Sequence, residues 1–339
     1  MATDPKPPRA EVLRDRAVRH QIYVRRVGTQ LGNEMLETVR ARLWLQAEGT
    51  LAATLRRART RGQTRAATQS RALREAFGRI DARARETYQR VREDLRTKLA
   101  ALAAEEAKHQ VGLLRMTGAN ATLRTSARSR ARAPWQGGPL SAHLELERQH
   151  TLRDLRAQVQ LGVTLGESDD EILRRVVGAR ATPGLFDRSG LRIVGIGRGA
   201  AQHATSQARE AVFDSAESVA AVQWIATLDS ATCPRCAALD GEVFPIGEGP
   251  RPPLHIGCEG RCTTIGVIHG ERPARTITYP KWLASQPAAV QDDVLGRTRG
   301  RLFRSGELTV DRFVDSQNRV LNLDALRARE PDAFEAAGL

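Results

Sequence analysis

Residues 224–268 read WIATLDSATCPRCAALDGEVFPIGEGPRPPLHIGCEGRCTTIGVI. All four cysteines of the 339-residue chain fall inside this stretch, as Cys233-x2-Cys236 and Cys258-x3-Cys262, with His255 just before the second pair. A short knuckle aims two thiolates at one point, and two knuckles complete a tetrahedral shell. The pattern therefore predicts one structural Zn²⁺. The donor set is Cys233, Cys236, Cys258 and Cys262, with His255 as a replacement for Cys258 or Cys262 or as a supporting donor. Two disulfides or four buried thiols are the alternatives.

The flanks of the cysteines predict a small β unit. Val222–Leu228 has strand character, Asp240-Gly241 is a hairpin signal with Glu242-Val243-Phe244 returning, and Thr263–Ile268 is a last strand. So few large apolar side chains need a staple to hold them.

Working outward, the N-terminal side is helical and basic. No proline occurs from Arg9 to Ala133. Val24, Val27, Leu31, Met35, Val39 and Leu43 form one helical stripe, and Phe77, Ile80, Ala84, Tyr88, Val91, Leu95, Leu99 and Leu102 form another. Breaks are expected near Gly49 and Gly62. The net charge is +14, but residues 1–133 carry 29 Lys+Arg against 13 Asp+Glu, while residues 134–339 carry 24 against 26. Basicity thus belongs to the first region. No acid occurs from Thr50 to Arg74, so Arg56, Arg57, Arg59, Arg61, Arg65, Arg71 and Arg74 are the candidate contacts to DNA phosphates. With no aromatic among them, such binding is expected to be nonspecific. A solvated helix face is the alternative.

Residues 1–8 are expected to form a disordered leader, and 117–139 a Ser/Arg/Gly/Pro linker. A helix over 141–161 follows, with Leu144, Leu152, Leu155 and Val159 inward. Ser168 and Glu171 form a capping box for a helix over 169–177. Residues 195–220 begin with Gly195-x-Gly197-x-Gly199 and continue as a helix. The glycines fail the dinucleotide pattern. Trp282, Val290, Val294, Leu302, Phe303 and Phe313 are expected to pack as a small helical cap. No apolar run has membrane-spanning length.

The run W-x4-D-x3-C-x2-C-x2-L-D-G-x2-F from Trp224, then P-P-x-H-x2-C and R-C, resembles the C-terminal domain of phage head morphogenesis proteins, the Mu F-like minor head (minor capsid) family. The chain has Ile256 where that family usually has proline, and the Cys258–Cys262 spacing is two residues longer. The G-x-S-x2-E-I turn at Gly166–Ile172 and the segment Tyr279–Leu308 are also similar to family segments. The resemblance implies a structural virion component of a tailed double-stranded DNA phage, not an enzyme. It would be located in the capsid interior, and in host cytoplasm during assembly. It implies the portal protein and packaged DNA as partners, with scaffold or major capsid protein as further candidates, and no membrane.

The expected fold is mostly α, with long N-terminal helices and a small α+β zinc-stapled C-terminal module. The expected regions are 1–133 (basic helices), 134–220 (linker and helices), 221–270 (cysteine β module) and 271–339 (helical cap). The alternative function is a zinc-dependent treble-clef or His-Asn-His nuclease. It would use His255 or His269, but no Asn lies between Leu254 and Gln317, and four thiolates leave no open metal position. A nucleobase deaminase needs H-x-E upstream of the first knuckle, whereas His203 is followed by Ala-Thr. A zinc-bearing transcription regulator would need a recognition helix after the second knuckle, and none is recognisable.

Overall fold

The computed structural model describes residues 9–60, 65–119, 121, 134–135, 138–255, 258, 260–274 and 277–339. The expected leader, the Gly62 break and most of the 117–139 linker lie outside these residues. The helices are α1 (Arg9–Val39), α2 (Leu45–Thr60), α3 (Arg65–Met116), α4 (Leu140–Thr164) and α5 (Asp169–Val177). A two-residue ribbon, β1 (Gly178–Ala179) with β2 (Thr182–Pro183), leads into α6 (Leu185–Phe213). Then come β3 (Val219–Ala226), the short α7 (Pro234–Ala237), β4 (Val243–Pro245) and β5 (Cys262–Ile268). Among the described residues, five short α-helices follow, α8 (Tyr279–Ala284), α9 (Ala288–Leu295), α10 (Arg297–Arg304), α11 (Leu323–Arg329) and α12 (Pro331–Ala336), with a 3-10 turn at Val310–Phe313. The fold is mostly helical with a small strand module near the C-terminus. Among the described residues, no helix is long and apolar enough to cross a membrane.

Two compact units make up the chain. The first takes residues 1–27, 101–131 and 201–339, and the second takes 28–100 and 132–200. Helices α1, α3 and α6 therefore each contribute residues to both.

In the second unit the helical stripes are buried as their periodicity requires, from Leu31 to Leu43 on one side and Phe77 to Leu99 on the other. Two expectations need correction. Helix α2 runs straight through Gly49, which is exposed with no atom near it. One helical glycine costs only about 1 kcal/mol against alanine, too little to end a packed helix. The irregularity lies earlier, in a wide π turn over Arg40–Trp44 that lets the consecutive Leu43 and Trp44 both be buried. Trp135, assigned to the linker, is buried against Gly199. The capping box of α5 forms as read: Ser168 and Glu171 satisfy each other's backbone N–H groups.

The glycine run is also not a loop. Gly195, Gly197 and Gly199 all lie inside α6. A Cβ on Gly197 would stand 2.5 Å from Gly32 Cα on α1, and one on Gly32 would stand 2.7 Å from the Val194 backbone. The glycines let two helix backbones touch. Gly195 has nothing within 4 Å. Gly197→Ala is thus expected to destabilise by about 1–3 kcal/mol through overpacking. Gly195→Ala should stabilise by roughly 0.5–1 kcal/mol, because alanine is the better helix former. Urea titrations of both variants check this; two changes of equal sign would refute the crossing.

In the first unit, β3 is the central strand of a three-stranded antiparallel sheet in the order β4-β3-β5. Strand β3 starts at Val219 and ends at Ala226, three residues earlier than expected at its start and two at its end. One face packs on α3 and α6 through Ala107, Val111, Ala208, Val212 and Phe213. The C-terminal helices form their own core around Tyr279, Leu283, Leu302, Phe313 and Phe334. Leu302 and Phe313 are central to it, and Trp282, Val294 and Phe303 flank it, while Val290 is not part of it. The carboxylate of Asp240 joins this core to the sheet by accepting the N–H groups of Ala226 (2.6 Å) and Tyr279 (2.7 Å). Burial nevertheless raises its pKa above the usual carboxylate range.

Candidate metal centre

The turn leaving β3 sets up the first knuckle. Asp229 Oδ1 accepts the Ala231 N–H, and Thr232 donates its hydroxyl to Thr227 O. Cys233 then ends an extended stretch and opens α7, its carbonyl accepting N–H bonds from Cys236 and Ala237, both at 3.0 Å. Two cysteines three apart thereby face one side. Cys262 enters from the opposite strand as the first residue of β5, paired with Ala226. Arg261, beside it, is ion-paired with Asp229, which ties the second knuckle to the first turn.

The sulfurs of Cys236, Cys258 and Cys262 all lie within 4.8 Å of one another and are buried. Cys236 Sγ is 3.4 Å from Cys262 Sγ and 3.9 Å from Cys258 Sγ. A disulfide needs about 2.05 Å, so these are free thiols. Metal–sulfur bonds of about 2.3 Å in a tetrahedron put sulfurs about 3.8 Å apart, so the spacing fits a shared ion. Three buried cysteines this close can hold a metal. Cys233 is outside that tight group. It is hydrogen-bonded to Cys236, and its Sγ lies 3.3 Å from His255 Nε2. All five donors named from the sequence therefore converge on one small region, in a three-plus-two arrangement.

The electrostatics match a cation-seeking cluster. The hydrogen bond with Cys236, then that with His255, brings Cys233 down to about 5 against the opposing effect of burial. Cys258 is held well below the usual thiol range by hydrogen bonds from Cys236 and Cys262. Those two are pushed up, Cys236 first by its bonds to the other thiols and Cys262 first by burial. Buried sulfurs this close share their protons because several thiolates would repel one another, and a divalent cation relieves that repulsion.

Two supports of the knuckles lie far away in sequence. Gln202 on α6 donates to Cys262 O at 2.9 Å and to its Sγ at 3.5 Å, and Gln21 on α1 donates to Gly260 O at 3.0 Å. No local spacing signal points to either. Trp224, 0 % exposed, covers the sulfurs together with Leu239, Phe244 and Leu254. Outside this cluster, His269 is exposed after β5, its N–H bonded to Ser218 O.

The candidate phosphate contacts lie in the second unit. Arg56 and Arg57 are exposed on α2, and Arg71 and Arg74 on α3, where Arg71 pairs with Glu75 at 3.2 Å. Arg61 and the side chains of Arg59 and Arg65 lie outside the described residues.

No curated protein and no solved structure matches the chain. A family model does: residues 153–265 match the family described as phage Mu protein F like protein. The matched segment runs from α4 to β5 and includes all four cysteines and His255. The C-terminal helices likened to family segments in the sequence lie beyond it. The match covers about a third of the 339-residue chain and suggests a phage head morphogenesis protein. Covering the two knuckles and the helices that lead to them, the match makes this segment of the chain similar to the Mu F-like family.

Proposed function

We propose that the chain is a structural minor head protein of a tailed double-stranded DNA phage. It docks on the portal, contacts packaged DNA, and performs no catalytic turnover. The observation that carries this reading is the cysteine cluster inside the family-matched segment. Cys233, Cys236, Cys258 and Cys262 hold one structural Zn²⁺, with His255 able to replace Cys258 or Cys262. Four protein donors close the shell, which suits a staple rather than a reaction centre. Deletion of the gene should give defective heads or poor DNA retention. Rescue is expected from protein carrying His255→Ala and His269→Ala, provided the fold survives. Failure of that folded variant, with wild-type protein cutting DNA in a divalent metal, would establish the nuclease instead.

The basic N-terminal third supports the DNA contact. Affinity for duplex should fall steeply with salt, because each phosphate neutralised releases counterions. Changing Arg56, Arg57, Arg59 and Arg61 together to Ala should weaken binding to every sequence alike. The slope of log K against log salt should become shallower by roughly one unit for each phosphate left without its arginine. Fluorescence anisotropy at several salt concentrations decides this; an unchanged slope would place the DNA-binding surface elsewhere.

A further inference from the structure

The second unit carries a groove of about 980 Å³ that neither the metal nor the DNA reading uses. Trp44 and Phe186 form its floor, their rings stacked with centroids 4.7 Å apart and planes within 1°. Leu36 and Val194 line it half-buried. Leu191 lines it while 75 % exposed. A lone exposed leucine is ordinary. One continuous with an aromatic floor makes an apolar recess of the kind that partner side chains fill.

The groove is also charged. Arg40, Arg180 and Arg188 line it exposed, and Arg198 lines it half-buried. The one acid among the lining residues is Asp187, whose carboxylate already accepts the Gly184 N–H at 2.8 Å. Arg40 shares its charge with Glu37 at 3.3 Å. The sum remains basic around an apolar floor.

We propose that this groove docks an acidic segment of a partner protein that carries at least two large apolar side chains. The carboxylates would meet the arginines while the apolar side chains pack on Leu191 and the half-buried Leu36 and Val194, over the buried Trp44 and Phe186. Duplex DNA satisfies the arginines but offers nothing to the floor. A second copy docked groove to groove would set arginines against arginines, since a two-fold interface pairs like with like. The chain's own acid-free 117–139 stretch bears the same sign as the groove.

The test is a selection from displayed random 12-residue peptides on the full chain, with counter-selection on a variant carrying Leu191→Asp and Arg188→Glu. Both positions are exposed, so the variant should keep the wild-type melting temperature. Enriched peptides are expected to be acidic, to contain two or more large apolar residues, and to bind the variant at least about tenfold more weakly, the loss typical of a removed anchor. Three results would overturn the proposal: no enrichment that depends on the groove, groove-dependent peptides that are neutral or basic, or self-association abolished by Leu191→Asp.

Discussion

Replacing Arg209 by methionine is expected to cost the fold about 3–5 kcal/mol, the usual penalty for stranding a buried charge. Glu106 on α3 is fully buried and Arg209 on α6 is 2 % exposed. The guanidinium donates to Glu106 Oε1 through Nε at 3.0 Å and Nη2 at 2.8 Å. Gln110 donates to the same oxygen at 2.8 Å, and His20 of α1 lies 2.6 Å from the other. Three helices of the first unit thus meet at one carboxylate. Burial alone would raise its pKa; the Arg209 charge, followed by the His20 hydrogen bond, brings it down to about 2. The folded value lies below the unfolded one of about 4.5. The stabilisation is therefore complete above pH 4.5 and is lost as pH falls through about 2. Arg209→Met should flatten that acid dependence as well as lower the urea midpoint. Adding Glu106→Leu should recover much of the loss, because no charge is then left unpaired. A single variant within about 1 kcal/mol of wild type would show that the cluster is replaceable by ordinary packing.

Cys236→Ser is expected to be the most damaging change in the C-terminal half. Cys236 is the sulfur that touches both Cys258 and Cys262. Structural zinc contributes about 10–16 kcal/mol to folding in isolated finger peptides, so loss of the proposed ion should release most of residues 224–268. Hydrogen exchange should rise there and around Trp224, with little change in total helix signal. Cys233→Ser should be milder, because His255 already lies 3.3 Å from that sulfur and supplies another donor. Elemental analysis should give about one zinc per chain, the content of a closed four-ligand site. Metal-free protein with wild-type exchange protection, and four thiols open to alkylation in the folded state, would remove the ion from the account.

Local patterns were legible because their causes are local. The capping box, the two helical stripes and the paired strands around the knuckles all follow from spacing within one element. What stayed hidden depends on partners distant in sequence. Gly195, Gly197 and Gly199 fail the dinucleotide pattern, yet nothing local gives them another role until Gly32, more than 160 residues earlier, is found against Gly197. Asp240-Gly241 reads as a turn, and Gly241 does take a positive φ of 95°. Nothing nearby reveals that the Asp240 side chain also caps Ala226 and Tyr279. Gln202 likewise meets Cys262 across 60 residues. Of the five candidate donors read from spacing, three sulfurs form a tight trio and Cys233 and His255 a flanking pair, a division that spacing along the chain does not carry.

The division of three helices between the two units sets an order on synthesis. Every residue of the second unit has been made once residue 200 is joined. The first unit includes the opening turns of α1, yet it also needs residues 201–339. His20, made early, must wait nearly 190 residues for Arg209 to reach the same carboxylate. During that interval the start of α1 has its α3 contacts but lacks the later residues Ile225 and Ile265 that bury Ala17, a partial exposure of the kind that makes nascent chains aggregate or recruit chaperones. A chain stopped after Ala200 would keep one unit's residues entire and leave those first turns without the strands that bury Ala17.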